Sequence, residues 1–124
     1  MAIEDARLRI SVGADGSPCV LTVAGEVDID TVDLLRRALS DALTCGANPS
    51  VVVDLTGVTW FTAHGLTALV EARGQARALG KRLRVVVGDN RAVTVPLRAT
   101  GLDRTVAPFP TLADALDPVA AAAS

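Results

Sequence analysis

The sequence predicts an α/β fold: one domain built on a mixed central sheet of four to five strands with about four helices. Two short apolar segments with a glycine-containing turn between them open the chain, which reads as an antiparallel hairpin. After them, continuous valine runs alternate with segments whose apolar residues recur at helical spacing, the pattern of β-α-β units with parallel strands. The length, 124 residues with 50% hydrophobic, suits one core. Residues 1–117 are expected to form the domain and 118–124 a frayed alanine-rich tail.

Leu8, Ile10 and Val12 alternate with Arg7, Arg9 and Ser11, giving a half-buried strand. Residues 13–17 form a turn and 19–24 a second strand, so the hairpin loop is longer than two residues. Gly25-Glu26-Val27-Asp28 ends that strand, and Asp28 or Asp30 can cap the next helix. From Thr31 to Thr44, Val32, Leu35, Ala38, Leu39, Ala42 and Leu43 share one helical face, with Cys45-Gly46 and then Pro49 as stop signals. Val51-Val52-Val53 is a continuous run suited to a strand covered on both faces and ending at Asp54. A second long helix starts near Ala63, with Leu66, Leu69, Val70, Ala72, Ala76 and Leu79 as its apolar stripe and Gly80 at C′. Leu83, Val85, Val86 and Val87 form the next strand, closed by Gly88-Asp89-Asn90. Crossover connections make the Val51 and Val85 strands parallel, and both are expected in the centre of the sheet. Residues 91–100 form a weaker helix limited by Pro96, Val106-Ala107 a brief edge strand, and Thr111 to Asp114 a capping box.

Composition narrows the function classes. A net charge of −2 offers no footprint for a phosphate backbone, and 2% aromatics offers no stacking platform, so no nucleic-acid partner is expected. No apolar run reaches the roughly 20 residues of a membrane span, and Met-Ala-Ile-Glu-Asp lacks the layout of a secretory signal, so a cytoplasmic protein with no membrane insertion is expected. Cys19 and Cys45 stand far apart and read as small buried hydrophobes. The sole histidine, His64, cannot assemble a usual zinc site with them. No serine sits in a nucleophile elbow, and phosphate-cradling glycine motifs are absent. Neither metal, cofactor nor catalytic residue is therefore expected, and the reading is non-enzymatic.

Gly25-Glu26-Val27-Asp28, then Val51 to Val58 (VVVDLTGV), then Gly65-Leu66 opening a helix, and finally Leu97-Arg98-Ala99-Thr100-Gly101-Leu102 occur in one order. Order and spacing together resemble the STAS domain family, which includes the bacterial anti-sigma factor antagonists, and the resemblance runs from about Arg7 to Leu116. It implies capture of an anti-sigma factor, typically a serine kinase with a GHKL-type ATPase fold, and hence release of a sigma factor. In that family the turn before the second long helix reads Asp-Ser-Ser-Gly or Asp-Ser-Thr-Gly, and a hydroxyl there is phosphorylated to release the partner. Here the stretch is Thr62-Ala63-His64-Gly65. Gly65 matches, as does Asp28 in the Gly-Glu-x-Asp element, but Ala63 and His64 stand where the hydroxyls belong.

The physics of this turn can be followed without the family. Thr62 lies at an N-cap, where its hydroxyl can accept a bond from an N–H two or three residues on. The helix start carries unpaired N–H groups and partial positive charge. A phosphoryl group there adds about −1.5 to −2 charges to a partner-facing surface and opposes docking. Without the usual acceptor, three readings follow in order of preference: a constitutive binder, phosphorylation moved to Thr62, or His64 as a phosphoacceptor or pH-responsive contact. Plain capping for Thr62 and plain exposure for His64 are favoured over chemical roles. The candidate partner-binding residues are Asp28, Thr62, Ala63, His64, Gly65, Leu66, Asp89 and Asn90. Trp60 and Phe61 cannot point the same way in an extended segment, so one of them reaches the surface as an anchor. Arg73, Arg77, Lys81, Arg82 and Arg84 read as a solvated helix face rather than an acidic-partner site. The chain is expected to be a monomer or weak dimer. Rival readings are a STAS scaffold subunit of a signalling assembly, a regulator of a transporter ATPase, or a small-ligand-binding protein using Asp28, His64 and Asp89.

Overall fold

The computed structural model describes residues 2–4, 6–13, 19–44 and 49–116. The turn expected at 13–17, the helix stop at Cys45-Gly46 and the tail 118–124 lie wholly or largely outside these residues. The elements in order are β1 (Ala2–Glu4), β2 (Leu8–Val12), β3 (Cys19–Val27), α1 (Val32–Thr44), β4 (Ser50–Phe61), α2 (Ala63–Ala78), β5 (Arg82–Val86), α3 (Arg91–Ala99), α4 (Leu102–Val106) and α5 (Leu112–Leu116).

The five strands lie in chain order, β1-β2-β3-β4-β5. β1 pairs with β2, and β2 with β3, antiparallel; β3 with β4, and β4 with β5, are parallel. The predicted hairpin and parallel crossovers are present. β1 was not anticipated. The Val85 strand is not central: β5 is the last strand of the sheet, extended only by an isolated parallel bridge from Val86 to Phe109. That bridge replaces the edge strand expected at Val106-Ala107, because Val106 closes the helical turn α4 and Ala107 turns the chain at φ +48°.

The main core lies on one face of the sheet, where β2, β3 and β4 meet α1, α2 and α3. All six apolar residues expected on the inner face of α1 are buried there. In α2, Leu66, Leu69, Ala72 and Ala76 are buried as expected, whereas Val70 and Leu79 face solvent. A smaller cluster of Val52, Val86, Phe109 and Ala115 covers part of the opposite face, so Val51, Val52 and Val53 are all buried. Cys19 is buried, as a small hydrophobe; Cys45 lies outside the described residues.

β4 is the element that builds the site. It does not stop at Asp54 but runs on to Phe61, beyond the end of its pairing with β5 at Val86 and alongside β3 as far as Val27. Two register shifts, between Thr22 and Ala24 and between Gly25 and Glu26, accommodate the longer strand. Gly25 sits at φ +107°, and a Cβ there would lie 2.1 Å from the Arg7 carbonyl oxygen. Only glycine permits both the left-handed backbone and this approach, which the Glu26 N–H seals by donating to the same oxygen at 2.8 Å.

Candidate functional site

The site lies where β3 and β4 end side by side and α2 begins. Past β3, the Asp28 carboxylate organises a tight loop: one oxygen accepts the N–H groups of Asp30 (2.9 Å) and Thr31 (3.1 Å), and the other accepts from Arg7 (2.8 Å). Desolvation pushes the Asp28 carboxyl up, but those N–H bonds and the Arg7 charge outweigh it and hold it below the ordinary carboxylate value. Thr31 is buried, and its hydroxyl donates to the Glu26 carbonyl oxygen at 2.8 Å. The N–H groups that Asp28 accepts precede Val32, the first residue of α1, so Asp28 folds the turn ahead of the helix rather than capping it as the sequence suggested. The loop tip carries Ile29, 67% exposed.

Past β4, Thr62 is the N-cap residue of α2, with extended backbone angles. Its hydroxyl does not accept from the helix, as expected for a cap; it donates to the Val27 carbonyl oxygen at 3.2 Å. The geometric reason is that Thr62 still follows the line of β4, beside the end of β3, and its N–H donates to that same oxygen at 3.0 Å. The start of α2 therefore has no side-chain acceptor for its first N–H groups. Ala63 and His64 are exposed there. Gly65 is buried, packed so closely that a Cβ would lie 2.7 Å from the Phe61 ring and 3.0 Å from Val27. Leu66 is 4% exposed and belongs to the core, so its expected place on the docking surface is corrected to one beneath it.

Trp60 and Phe61 divide as alternation requires: Phe61 is buried and Trp60 is 59% exposed. Trp60, Phe61 and Thr62 form one wall of an open groove of about 460 Å³, and Arg91, Ala92, Val95 and Pro96 of α3 form the other. The sequence reading missed the α3 wall. Its signal was Val95, 50% exposed although Val93 and Leu97 on the same helix are buried, an apolar residue on the outward face.

Asp89 and Asn90 do not join this cluster directly. Asn90 accepts from the Ala92 N–H as the cap of α3, and its Nδ2 donates to the carbonyl oxygens of Leu55 (2.8 Å) and Val58 (2.7 Å). It is a half-buried clamp across the irregular middle of β4. Asp89 is exposed beside it, on the shorter β5 side. Among the described residues no cluster of three His, Cys, Asp or Glu side chains could hold a metal ion. Among those residues, too, no helix is long and apolar enough to cross a membrane.

Comparison with known proteins decides the family. A family model described as "Mlab, STAS domain" matches residues 10–112. The chain belongs to the STAS domain family. Within it, the anti-sigma-F factor antagonist RsfB of Mycobacterium tuberculosis is 31% identical over 113 residues, 88% of this chain and 87% of that one. The crystal structure of an anti-sigma factor antagonist from Mycobacterium paratuberculosis superposes with a TM-score of 0.79 at 29% identity, covering 88% of this chain and 91% of that one. The unphosphorylated form of the anti-sigma factor antagonist SpoIIAA shares the fold, with a TM-score of 0.71 over 89% of this chain and 95% of that one, at 18% identity. The present chain is thus a STAS domain of the antagonist type whose helix start reads Thr62-Ala63-His64-Gly65.

Proposed function

We propose that this STAS domain captures an anti-sigma factor, of the serine-kinase type with a GHKL-like ATPase fold, and so frees a sigma factor. The docking face is the exposed first turn of α2 at Ala63 and His64, flanked by Thr62, the Asp28 loop, and the Trp60–Val95 groove. The observation that carries this reading is the exposed, uncapped start of α2 beside an exposed tryptophan. N–H groups without a side-chain cap offer polar contacts, and a large exposed aromatic offers an anchor. The likeness to antagonists over most of the chain supports the same assignment.

We further infer that docking is constitutive. Ala63 and His64 stand at the two positions where the family resemblance implies a hydroxyl. Thr62, the neighbouring hydroxyl, is half-buried and already engaged with Val27. Mixing the purified chain with each anti-sigma factor of its organism, followed by size-exclusion chromatography with light scattering, tests capture. One stable complex is expected, and failure with every candidate would overturn the reading. The same absence of an acceptor also fits a scaffold subunit of a signalling assembly. The light-scattering mass separates the two, because a scaffold runs as a large homo-assembly without partner.

A further inference from the structure

Three residues that line the groove beside the start of α2 each break a local rule. Trp60 is the sole tryptophan of a chain with only two phenylalanines and no tyrosine, yet it is left 59% exposed. Val95 is β-branched, a poor choice for an open helical position, and it is exposed while Val93 and Leu97 of the same helix are buried. Arg91 is the first residue of α3 and puts a cation at the helix end that already carries partial positive charge. Arg98, in the last turn, has the sign that its end of the helix favours, so the dipole accounts for one arginine and opposes the other. The first turn of α3 holds no acidic residue to offset Arg91, and among the described residues no hydrogen bond or ion pair engages its exposed side chain. A residue that opposes its own helix without a compensating contact inside the chain marks a function outside it.

We propose that Arg91 selects the partner: an apolar side chain of the anti-sigma factor enters the groove between Trp60 and Val95, and a carboxylate beside it pairs with the Arg91 guanidinium. This rests on the capture reading above and adds the chemistry of the segment that docks. Arg91 and Val95 are four residues apart on one face of α3, about 6 Å by helical rise, so a partner segment lying along the helix meets both. Among the described lining residues Arg91 carries the one charge. Thr62, the one uncharged polar side chain in the lining, is already committed to the Val27 carbonyl oxygen. The carboxylates of the docking face do not compete for Arg91. Asp28 and Asp30 are both held by Arg7, at 2.8 and 3.3 Å, and Asp89, two residues before Arg91, makes no ion pair with it. The guanidinium therefore offers its paired N–H donors to an incoming carboxylate, in the two-bond geometry that a lysine could not supply. An apolar side chain filling the groove displaces water from beside that pair and strengthens it.

Calorimetric titration of the full chain and its R91Q, R91E and R98Q variants with the anti-sigma factor captured in the mixing experiment tests this assignment. R91Q is expected to bind roughly tenfold more weakly, the effect of removing one charged hydrogen-bonding group, and R91E more weakly still. R98Q makes the same change in net charge outside the groove and is expected to stay within about twofold of wild type. R91E should at the same time unfold at slightly higher urea, because it places at the start of α3 the sign that the helix favours. A merely structural arginine would move affinity and stability in the same direction. Charge reversal of the partner's surface carboxylates, one at a time to lysine, should restore binding to R91E at one position. No complex with wild type overturns the capture reading and this one with it. A complex that R91Q and R91E weaken no more than R98Q does overturns the role of Arg91 alone. Light scattering of the chain by itself that shows a dimer broken by R91E overturns it too, since the groove then holds a second copy.

Discussion

The Val27 carbonyl oxygen accepts two bonds from Thr62, one from the backbone N–H at 3.0 Å and one from the hydroxyl at 3.2 Å. This double contact fastens the end of β4 to the end of β3 and sets the point from which α2 departs. It also takes the hydroxyl away from both capping and the surface. T62A leaves the N–H bond in place, so chemical denaturation should show a loss of only about 1 kcal/mol. Partner affinity should be nearly unchanged, because Thr62 acts here as a strand fastener.

Trp60 should be the reverse case. At 59% exposure it supports little of the core, so W60A should alter stability by no more than about 0.5 kcal/mol. As an anchor it should cost partner binding at least about 2 kcal/mol, roughly 30-fold, by calorimetry.

Asn90 holds β4 and α3 together through three bonds shorter than 3.2 Å. N90A removes a helix cap and leaves two β4 carbonyls without their donor. Urea unfolding should register a loss of roughly 3 kcal/mol. The groove wall made by α3 should loosen with it, visible as faster amide exchange across residues 91–99.

The Asp28 carboxylate, held below its ordinary value of 3.8, favours folding in its charged form. Its contribution is complete above about that pH and is lost as the pH falls through the lower folded-state value. D28N should therefore be less stable than wild type at neutral pH. Unfolding curves of the two proteins should converge only as the solution becomes more acidic than the ordinary carboxylate range.

Much of this architecture could be read from the residues because burial imposes a period. The inner face of α1 and the fully covered Val51–Val53 run are cases in which every apolar position has one destination. The extension of β4 was hidden because Thr56, Gly57, Thr59 and Trp60 are exposed: past its pairing with β5 the strand has, among the described residues, no second strand beside it to demand apolar residues. β1 has three residues and α4 has five, too few to display a period. Val70 and Leu79 are apolar yet exposed, and nothing in the spacing separates them from the buried stripe. At the site, the position of Thr62 was legible from the strand-to-helix change. Its hydrogen-bond partner was not, since Val27 is distant in sequence and reaches it only through the parallel β3–β4 pairing.

The proposed docking face and its missing switch are tested most directly by the affinity of this chain for an anti-sigma factor that it captures, measured before and after incubation of the pair with ATP. The account predicts the same dissociation constant in both cases, with no phosphate on the peptide spanning Trp60 to Arg73. ATP-dependent release of the partner, with phosphate found on Thr62 or His64, would contradict it.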